Sequence, residues 1–135
     1  MATKVHHIQY PAQQSPIPQQ VEHEIPSPPK ELPATDVWSV TGDIDANTVR
    51  DLMLRLASSL AAGGSSIIVL DLTRVTFLGV SGVRALDAFT GGAAAHHTTL
   101  RIVAGLNGPA RRALLVTSAF HSLVNFPSVR AALAT

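Results

Sequence analysis

The chain has 135 residues, a formal net charge of +1 and only 14% charged residues, so it suits one domain and offers no general attraction to nucleic acid or anionic membranes. It contains no cysteine, which excludes disulfides and thiolate metal sites and agrees with a reducing compartment. The first residues lack the apolar segment of a signal peptide, and no run of about 18 apolar residues occurs. We therefore expect a cytoplasmic protein whose partner is another protein or a small molecule.

Composition changes sharply near residue 35. Seven of the nine prolines and all five glutamines precede it, whereas all nine glycines follow it. Dense proline with few large apolar residues predicts an extended or disordered tail over residues 1–35, followed by a folded domain over residues 36–135. Within the tail, residues 21–25 alternate apolar and polar, which is typical of a short edge strand ended by Pro26.

The folded part alternates strands with helices. This order predicts an α/β fold with a mostly parallel sheet of four to five strands and α-helices packed on it. Helical apolar spacing is clearest after Asn47 or Thr48, either of which suits an N-cap. The predicted strands are 37–40, 66–72, 99–103 and 123–126, and the predicted helices are 48–62, 81–95, one from Pro109 and one from Ser128.

Helical spacing also predicts which side chains face the core. Arg111 and Arg112 of the third helix are expected to point outward. The inward set is Val49, Leu52, Met53, Leu56, Ala57 and Leu60 in the first helix, Val83, Leu86, Phe89 and Ala93 in the second, and Ala113, Leu114 and Val116 in the third.

The loop at residues 79–83 follows a strand and precedes a helix, as the nucleophile elbow Gly-x-Ser-x-Gly does. Valine replaces its last glycine at position 83, and the three histidines after residue 36 occupy no recognisable triad setting. The simpler interpretation is that Ser81 caps the second helix by accepting a hydrogen bond from a first-turn amide. We expect no catalytic residues and no enzyme activity.

Other polar motifs also favour structural roles. Residues 105–109 are glycine-rich but lack the lysine and the spacing of a phosphate loop. The pairs at 6–7 and 96–97 are histidines without further ligands at metal-site spacing. Asp43 and Asp45 lie in a βα loop, where aspartate usually forms turns or caps, so we interpret them as structural or interfacial. No cofactor and no metal are expected.

Three segments together resemble a known family. Residues 71–78 (DLTRVTFL) and 81–86 (SGVRAL) resemble the STAS domain signature, which in bacterial anti-sigma factor antagonists reads Asp-Leu-Ser-x-Val-x-Phe-x-Asp-Ser-x-Gly-Leu-x-x-Leu. Residues 42–45 are similar to the family's Gly-Glu-Leu-Asp loop, and residues 107–114 to the segment that opens its third helix. The resemblance covers about residues 36–135. It implies a regulator that binds an anti-sigma factor of the histidine-kinase-like ATPase type and so releases a sigma factor for transcription.

The chain departs from this family where the antagonists carry their phosphoacceptor serine. The family's Asp-Ser pair falls on Gly79 and Val80, and valine cannot be phosphorylated. Ser81 is one position later, and successive helix residues are turned by about 100°. The resemblance therefore leaves two possibilities, either a constitutive antagonist or one modified at the alternative phosphosite Ser81.

The resemblance also implies a partner interface around this loop. Val80 and Val83 are expected to supply apolar contact, Arg84 and Asp87 polar contact, and Asp45 the rim. The complete predicted interface is Asp45, Thr76, Gly79, Val80, Ser81, Gly82, Val83, Arg84 and Asp87.

Two alternatives remain at this point. One is a nucleotide or other small ligand bound at the carboxyl ends of the strands, where open α/β sheets often bind ligands. The other is a STAS subunit of a larger sensory assembly, tethered by the proline-rich tail.

Overall fold

The computed structural model describes residues 2–11, 34–63, 66–117 and 125–134. Its strands run parallel in one sheet whose spatial order follows the chain, so the predicted α/β fold is confirmed. The strands are β1 (Ala2–Gln9), β2 (Ala34–Ile44), β3 (Ile67–Leu78), β4 (Thr99–Val103) and β5 (Asn125–Phe126). The helices are α1 (Ala46–Ala61), α2 (Val80–Ala95), α3 (Pro109–Val116) and α4 (Val129–Leu133).

The strand order decides where the helices lie. Parallel strands are joined by right-handed crossovers, and here β2 to β5 succeed one another in a single direction across the sheet. The three crossover helices α1, α2 and α3 must therefore cover the same face, and their side chains share one core with that face. We call it the helix face and the opposite one the second face.

The core lies between the helix face and these three helices. Even-numbered residues of the central strands point into it, among them Leu70, Leu72 and Ile102, and all three are almost inaccessible to solvent. On the helix side, the core contains Leu52 and Leu56 of α1 and Leu86 of α2, which pack with these strand residues. Full burial of each such side chain contributes about 1.5–3 kcal/mol, so this layer supplies most of the drive to fold.

The second face is covered, among the described elements, by α4 alone. Ala132 of this helix packs with Val69 and Val103 in a small cluster. Arg101 fastens the helix, because its Nη1 donates a hydrogen bond of 2.6 Å to the Ala132 carbonyl. The Arg101 guanidinium also lies 5.7 Å from the centre of the Phe126 ring.

Residues 2–9 correct the sequence-based expectation, because they form β1 and not part of a disordered tail. Alternate side chains, those of His6 and Ile8 and then Tyr10 beyond the strand, are buried on the helix face. The His6 ring stacks on Trp38 with centroids 3.9 Å apart, and its Nε2 lies 3.7 Å from an Asp36 carboxylate oxygen. The remainder of the predicted tail, including the candidate strand at 21–25, lies outside the described residues.

Tyr10 anchors the end of β1 to α1. Its hydroxyl donates a hydrogen bond of 2.9 Å to Asp51 Oδ2, which also accepts a 2.9 Å bond from Arg55 Nε. Burial, reinforced by this bond to Asp51, raises the pKa of Tyr10 above its usual range. The Tyr10 amide donates to the Thr41 carbonyl at 2.7 Å, which brings the chain against Gly42.

Strands β2 and β3 are longer than their apolar runs predicted. β2 continues to Ile44, into the βα loop expected around Asp43, and β3 continues to Leu78, beyond its predicted end at residue 72. The pairing of β2 with β3 is irregular at this point. Ser39 pairs with Asp71 and Thr41 pairs with Arg74, so a step of two residues on β2 matches a step of three on β3. An extra β3 residue at this point is a β-bulge, which lets the strand continue while its side chains change phase.

The helices match the sequence pattern in position but differ in detail. Asp45, not Asn47 or Thr48, caps α1, and Ser128 caps α4 as the predicted helix start implied. Ala57 and Val116 were expected to face the core and are exposed, because each lies at the margin of its helix's apolar stripe. Ala110 is buried in α3 instead.

Candidate functional site

The loop from β3 to α2 is held by its backbone. Gly79 is the N-cap of α2 and makes no side-chain capping bond, and its amide donates a 3.1 Å hydrogen bond to the Ile44 carbonyl. Helical structure begins at Val80, so the prediction that Ser81 caps the helix is wrong. Ser81 lies inside the first turn with its side chain exposed.

Val80 and Phe77 form an exposed apolar pair at the end of the sheet. Val80 is 55% exposed and Phe77 is 50% exposed. A Cβ added at Gly79 would lie 3.2 Å from the Phe77 ring, so the glycine leaves room for the ring beside the loop. Large side chains in such positions, when grouped, are typical of surfaces that meet another molecule.

An apolar groove extends this pair toward α3. It lies between residues 76–80 on one side and Arg112 and Val116 of α3 with its C-cap Thr117 on the other, and it encloses about 500 Å³. Val116 is 83% exposed, and Arg112 is the one charged side chain among the described lining residues. The groove is therefore an apolar surface with a cationic rim.

Two residues of the predicted interface are buried. Val83 is 3% exposed and belongs to the core, so the expectation that it supplies apolar contact to a partner is wrong. Gly82 is buried as well, because a Cβ there would lie 2.7 Å from Leu78 Cδ1 and 3.2 Å from Ile44 Cγ2. A helix that starts at Val80 turns positions 82 and 83 toward the sheet.

Arg84 and Asp87 are exposed on α2, as the interface prediction requires. They follow Val80 at i+4 and i+7, so the three side chains form one stripe along the outer face of the helix. Ser81 is also exposed but lies about 100° around the helix from Val80.

Asp45 begins α1 and serves the helix itself. Its Oδ1 accepts hydrogen bonds of 2.9 Å from the Asn47 and Thr48 amides, and the Thr48 hydroxyl accepts one from the Asp45 amide. The bond from the Thr48 amide, helped by that from Asn47, holds the pKa of Asp45 below its usual value. Asp45 is therefore an exposed carboxylate at the rim whose position is fixed by a capping box.

Thr76 links the ends of β2 and β3. Its hydroxyl donates a hydrogen bond to the Asp43 carboxylate, next to the backbone bond from Gly79 to Ile44. Asp43 and Phe77 are also direct partners in the sheet. The structure thus brings Asp45, Thr76 and Val80 to one end of the molecule, where the carboxyl ends of β2 and β3 meet.

The geometry does not assemble a hydrolytic triad around Ser81. His96 and His97 lie beyond the far end of α2, which at 1.5 Å per residue is about 22 Å away. The third histidine of the folded part, at position 121, lies outside the described residues. Within the described ranges no three His, Asp or Glu side chains are grouped as a metal site would require.

The groove was missed by sequence reasoning. Helical spacing assigned Val116 to the core, and Phe77 lies beyond residue 72, where the strand was predicted to end. A signal did exist, since Leu114 and Val116 are two residues apart and so point about 200° apart around a helix, which prevents both from facing inward. None of the described helices has the length and apolar character to cross a bilayer.

The comparisons with known proteins bear on this same part of the chain. A family model described as "Mlab, STAS domain" matches residues 30–125, which is more than half of the 135 residues. The matched range begins after β1 and includes the β3–α2 loop, the α2 stripe and α3. No curated protein matches the chain.

Proposed function

The chain belongs to the STAS domain family, and from this we propose that it is an anti-sigma factor antagonist-like protein of the bacterial cytoplasm. It binds an anti-sigma factor of the histidine-kinase-like ATPase type and so promotes sigma-factor-dependent transcription. It acts by binding and catalyses no reaction of its own.

The observation that carries this proposal is the exposure of Val80 at the start of α2. Val80 occupies the position of the antagonists' phosphoacceptor serine, and it stands beside Phe77 with 55% of its surface accessible. An apolar side chain at a helix start gains free energy when a partner covers it, at about 25 cal/mol per Å² of apolar area.

The surroundings divide into an apolar centre and a polar rim. Val80, Phe77 and Val116 supply the centre, while Arg84 and Arg112 supply cationic groups around it. Interfaces commonly have this composition, with charged groups excluded from the centre and retained at the edge. The partner surface that fits it is apolar with carboxylates at its margin.

Regulation follows from the missing hydroxyl. In the family type, phosphorylation adds about −1.5 to −2 charges at the contact and breaks the complex. Val80 cannot undergo this reaction, and Ser81 faces a different direction, so binding is constitutive.

Incubation with the partner kinase and ATP followed by mass spectrometry tests whether binding is constitutive. Unmodified Ser81 is the expected result, and stoichiometric phosphate on Ser81 with loss of binding would contradict it.

A binding assay with matched variants tests the interface. The purified chain is mixed with the host's kinase-like anti-sigma factors, and the complex is measured by calorimetry for wild type, Val80→Asp and Leu54→Asp. Leu54 is 64% exposed on α1, so it undergoes the same chemical change away from the groove. Val80→Asp is expected to weaken binding by at least about 100-fold, since a carboxylate replaces the apolar centre of the interface and must lose its hydration when the partner covers it.

The outcome for Leu54→Asp should equal that of wild type. Equal binding by Val80→Asp and wild type would remove the proposed interface. Absence of a complex with every kinase-like anti-sigma factor of the host would remove the proposed function itself.

A further inference from the structure

The second face of the sheet carries a polar cavity at the carboxyl end of β1 and the adjoining middle parts of β2 and β3. It encloses about 430 Å³, within the usual range of roughly 300–1,000 Å³ for small-molecule sites. It lies on the opposite face from α1, α2 and α3, and α4 covers the sheet farther along, at β3 and β4. It takes no part in the interface proposed above.

The parallel register arranges the cavity in rows across three strands. The first row is apolar, with Val5 and Val37 lining the cavity, while their partner Val69 on β3 packs in the cluster with α4. Two polar rows follow toward the carboxyl ends of the strands: His7, Ser39 and Asp71, and then Gln9, Thr41 and Arg74. Neighbouring strands are about 4.8 Å apart, so each of the two polar rows places three polar side chains within reach of one small molecule.

The β-bulge in β3 is what brings Arg74 into the second polar row. Two residues advance on β2, from Ser39 to Thr41, while three advance on β3, from Asp71 to Arg74. An unbroken ladder would pair Thr73 with Thr41 and leave the arginine on the helix face. Bulges commonly redirect a side chain in this way near functional sites.

Local hydrogen bonds hold this bulge in place. Asp71 Oδ1 accepts bonds from the Thr73 amide at 3.0 Å and the Thr73 hydroxyl at 2.7 Å. One carboxylate oxygen of Asp71 is thereby occupied by its own loop. The cavity retains a guanidinium, a carboxamide, an imidazole and two hydroxyls as groups able to donate hydrogen bonds.

We infer that this cavity binds a small organic anion through its oxyanion group. The Arg74 guanidinium is the anchor, because its planar fork matches the oxygens of a carboxylate or phosphate. Thr41 and Gln9 stand in the same row to complete the contact, and the apolar row at Val5 and Val37 receives the carbon part of the ligand. A hydroxyl on that ligand would find its acceptor in Asp71.

Titration of the full-length chain followed by amide NMR shifts tests this inference. The probes are glycerol 3-phosphate as a phosphate ester, citrate as a carboxylic acid, and inorganic phosphate as an anion without a carbon part. We expect saturable shifts of the Ser39, Thr41 and Asp71 amides with one of the two organic probes, which also identifies the oxyanion. Inorganic phosphate is expected to bind more weakly.

Variants at two arginines make the result specific. Arg74→Gln should weaken binding of the organic probe about tenfold or more, the effect of losing one charge-assisted pair. Arg50→Gln, an exposed arginine on α1, should bind as wild type does. The remaining amide spectrum of Arg74→Gln reports whether the variant is folded, and Arg74→Lys, which keeps the charge, should restore part of the affinity.

The inference is overturned if neither organic probe gives saturable shifts at these amides, or if Arg74→Gln binds as tightly as wild type. Neither result bears on the anti-sigma factor assay, which uses Val80 at the other site.

Discussion

The two βα loops that meet at the end of the sheet start their helices in different ways. The β2–α1 loop has Asp45, whose carboxylate is committed to a capping box with Thr48. The β3–α2 loop has Gly79, which has no side chain to cap the helix. The first two residues of α2, Val80 and Ser81, are exposed.

The difference shows how a stable fold can leave a surface available. The start of α1 is stabilised locally, so its polar groups are already used. The start of α2 depends on tertiary contacts, namely the Gly79 to Ile44 backbone bond and the close packing of Gly82 against Leu78. Because those contacts involve backbone and a buried glycine, we expect substitutions at Val80 and Ser81 to leave the domain folded. Four substitutions test this contrast, two in a first region made of the end of β2 with its loop and two in a second region made of the first turn of α2.

Gly42→Ala in the first region should have the largest effect on stability. Gly42 has φ +101°, and a Cβ there would lie 2.1 Å from the Tyr10 carbonyl oxygen. Backbone strain and overpacking each cost about 1–3 kcal/mol, so we expect a loss of roughly 3 kcal/mol or more in the free energy of unfolding, measured by urea denaturation. Gly63→Ala is the control, because its φ is +69° and nothing lies within 4 Å. Equal losses in both variants would show that strain alone acts and that the Tyr10 contact is absent.

Gly82→Val in the second region should cost about 1–3 kcal/mol of unfolding free energy, since its side chain enters the space of Leu78 and Ile44. The matched control is Gly91→Val in the same helix, where nothing lies within 4 Å and valine has the higher helix propensity. Urea denaturation should separate the two variants clearly. If Gly82→Val is as stable as Gly91→Val, tertiary packing does not hold the start of α2.

Asp45→Ala should cost about 1 kcal/mol near neutral pH, the usual effect of losing an N-cap. The pKa of Asp45 is lowered in the folded state, so the stabilisation is present above its unfolded-state pKa and is lost as the pH falls through the folded-state value. Urea denaturation of wild type and variant across acid pH should therefore show the difference shrinking. Asp45→Asn also lacks the titrating group but keeps a capping oxygen, so the stability difference between Asp45→Asn and Asp45→Ala should not change with pH.

Ser81→Ala should have the smallest effect, within about 0.5 kcal/mol, because no capping bond is lost and alanine suits a helix. Ser128→Ala provides the contrast, since Ser128 Oγ accepts a 3.1 Å bond from the Ala131 amide and its loss should cost about 1 kcal/mol. Thermal unfolding of wild type and both variants measures the two losses of stability. A large loss in Ser81→Ala would restore the capping role that the structure excludes.

The sequence predicted the helices and central strands because their signals are local. The spacing of Leu52, Leu56 and Leu60 determines the buried face of α1, and the unbroken apolar run at 67–70 predicts a strand covered on both faces. The β1 strand was not predicted, because its partner lies about thirty residues later and its buried positions include a histidine. The alternation of His6, Ile8 and Tyr10 was its one visible sign.

For the candidate site, the sequence alone predicted the location and placed a valine at position 80. A strand followed by glycines and a helix marks the loop, and valine at position 80 has no hydroxyl whatever the fold. Only the tertiary structure decided which side chains of that segment reach solvent. The helix starts at Val80 because Gly79 is bonded to Ile44 on a neighbouring strand, and that start turns Val83 into the core while leaving Val80, Arg84 and Asp87 outside. Helix phase depends on where the first turn is anchored, and here the anchor is a contact between segments that are distant in the chain.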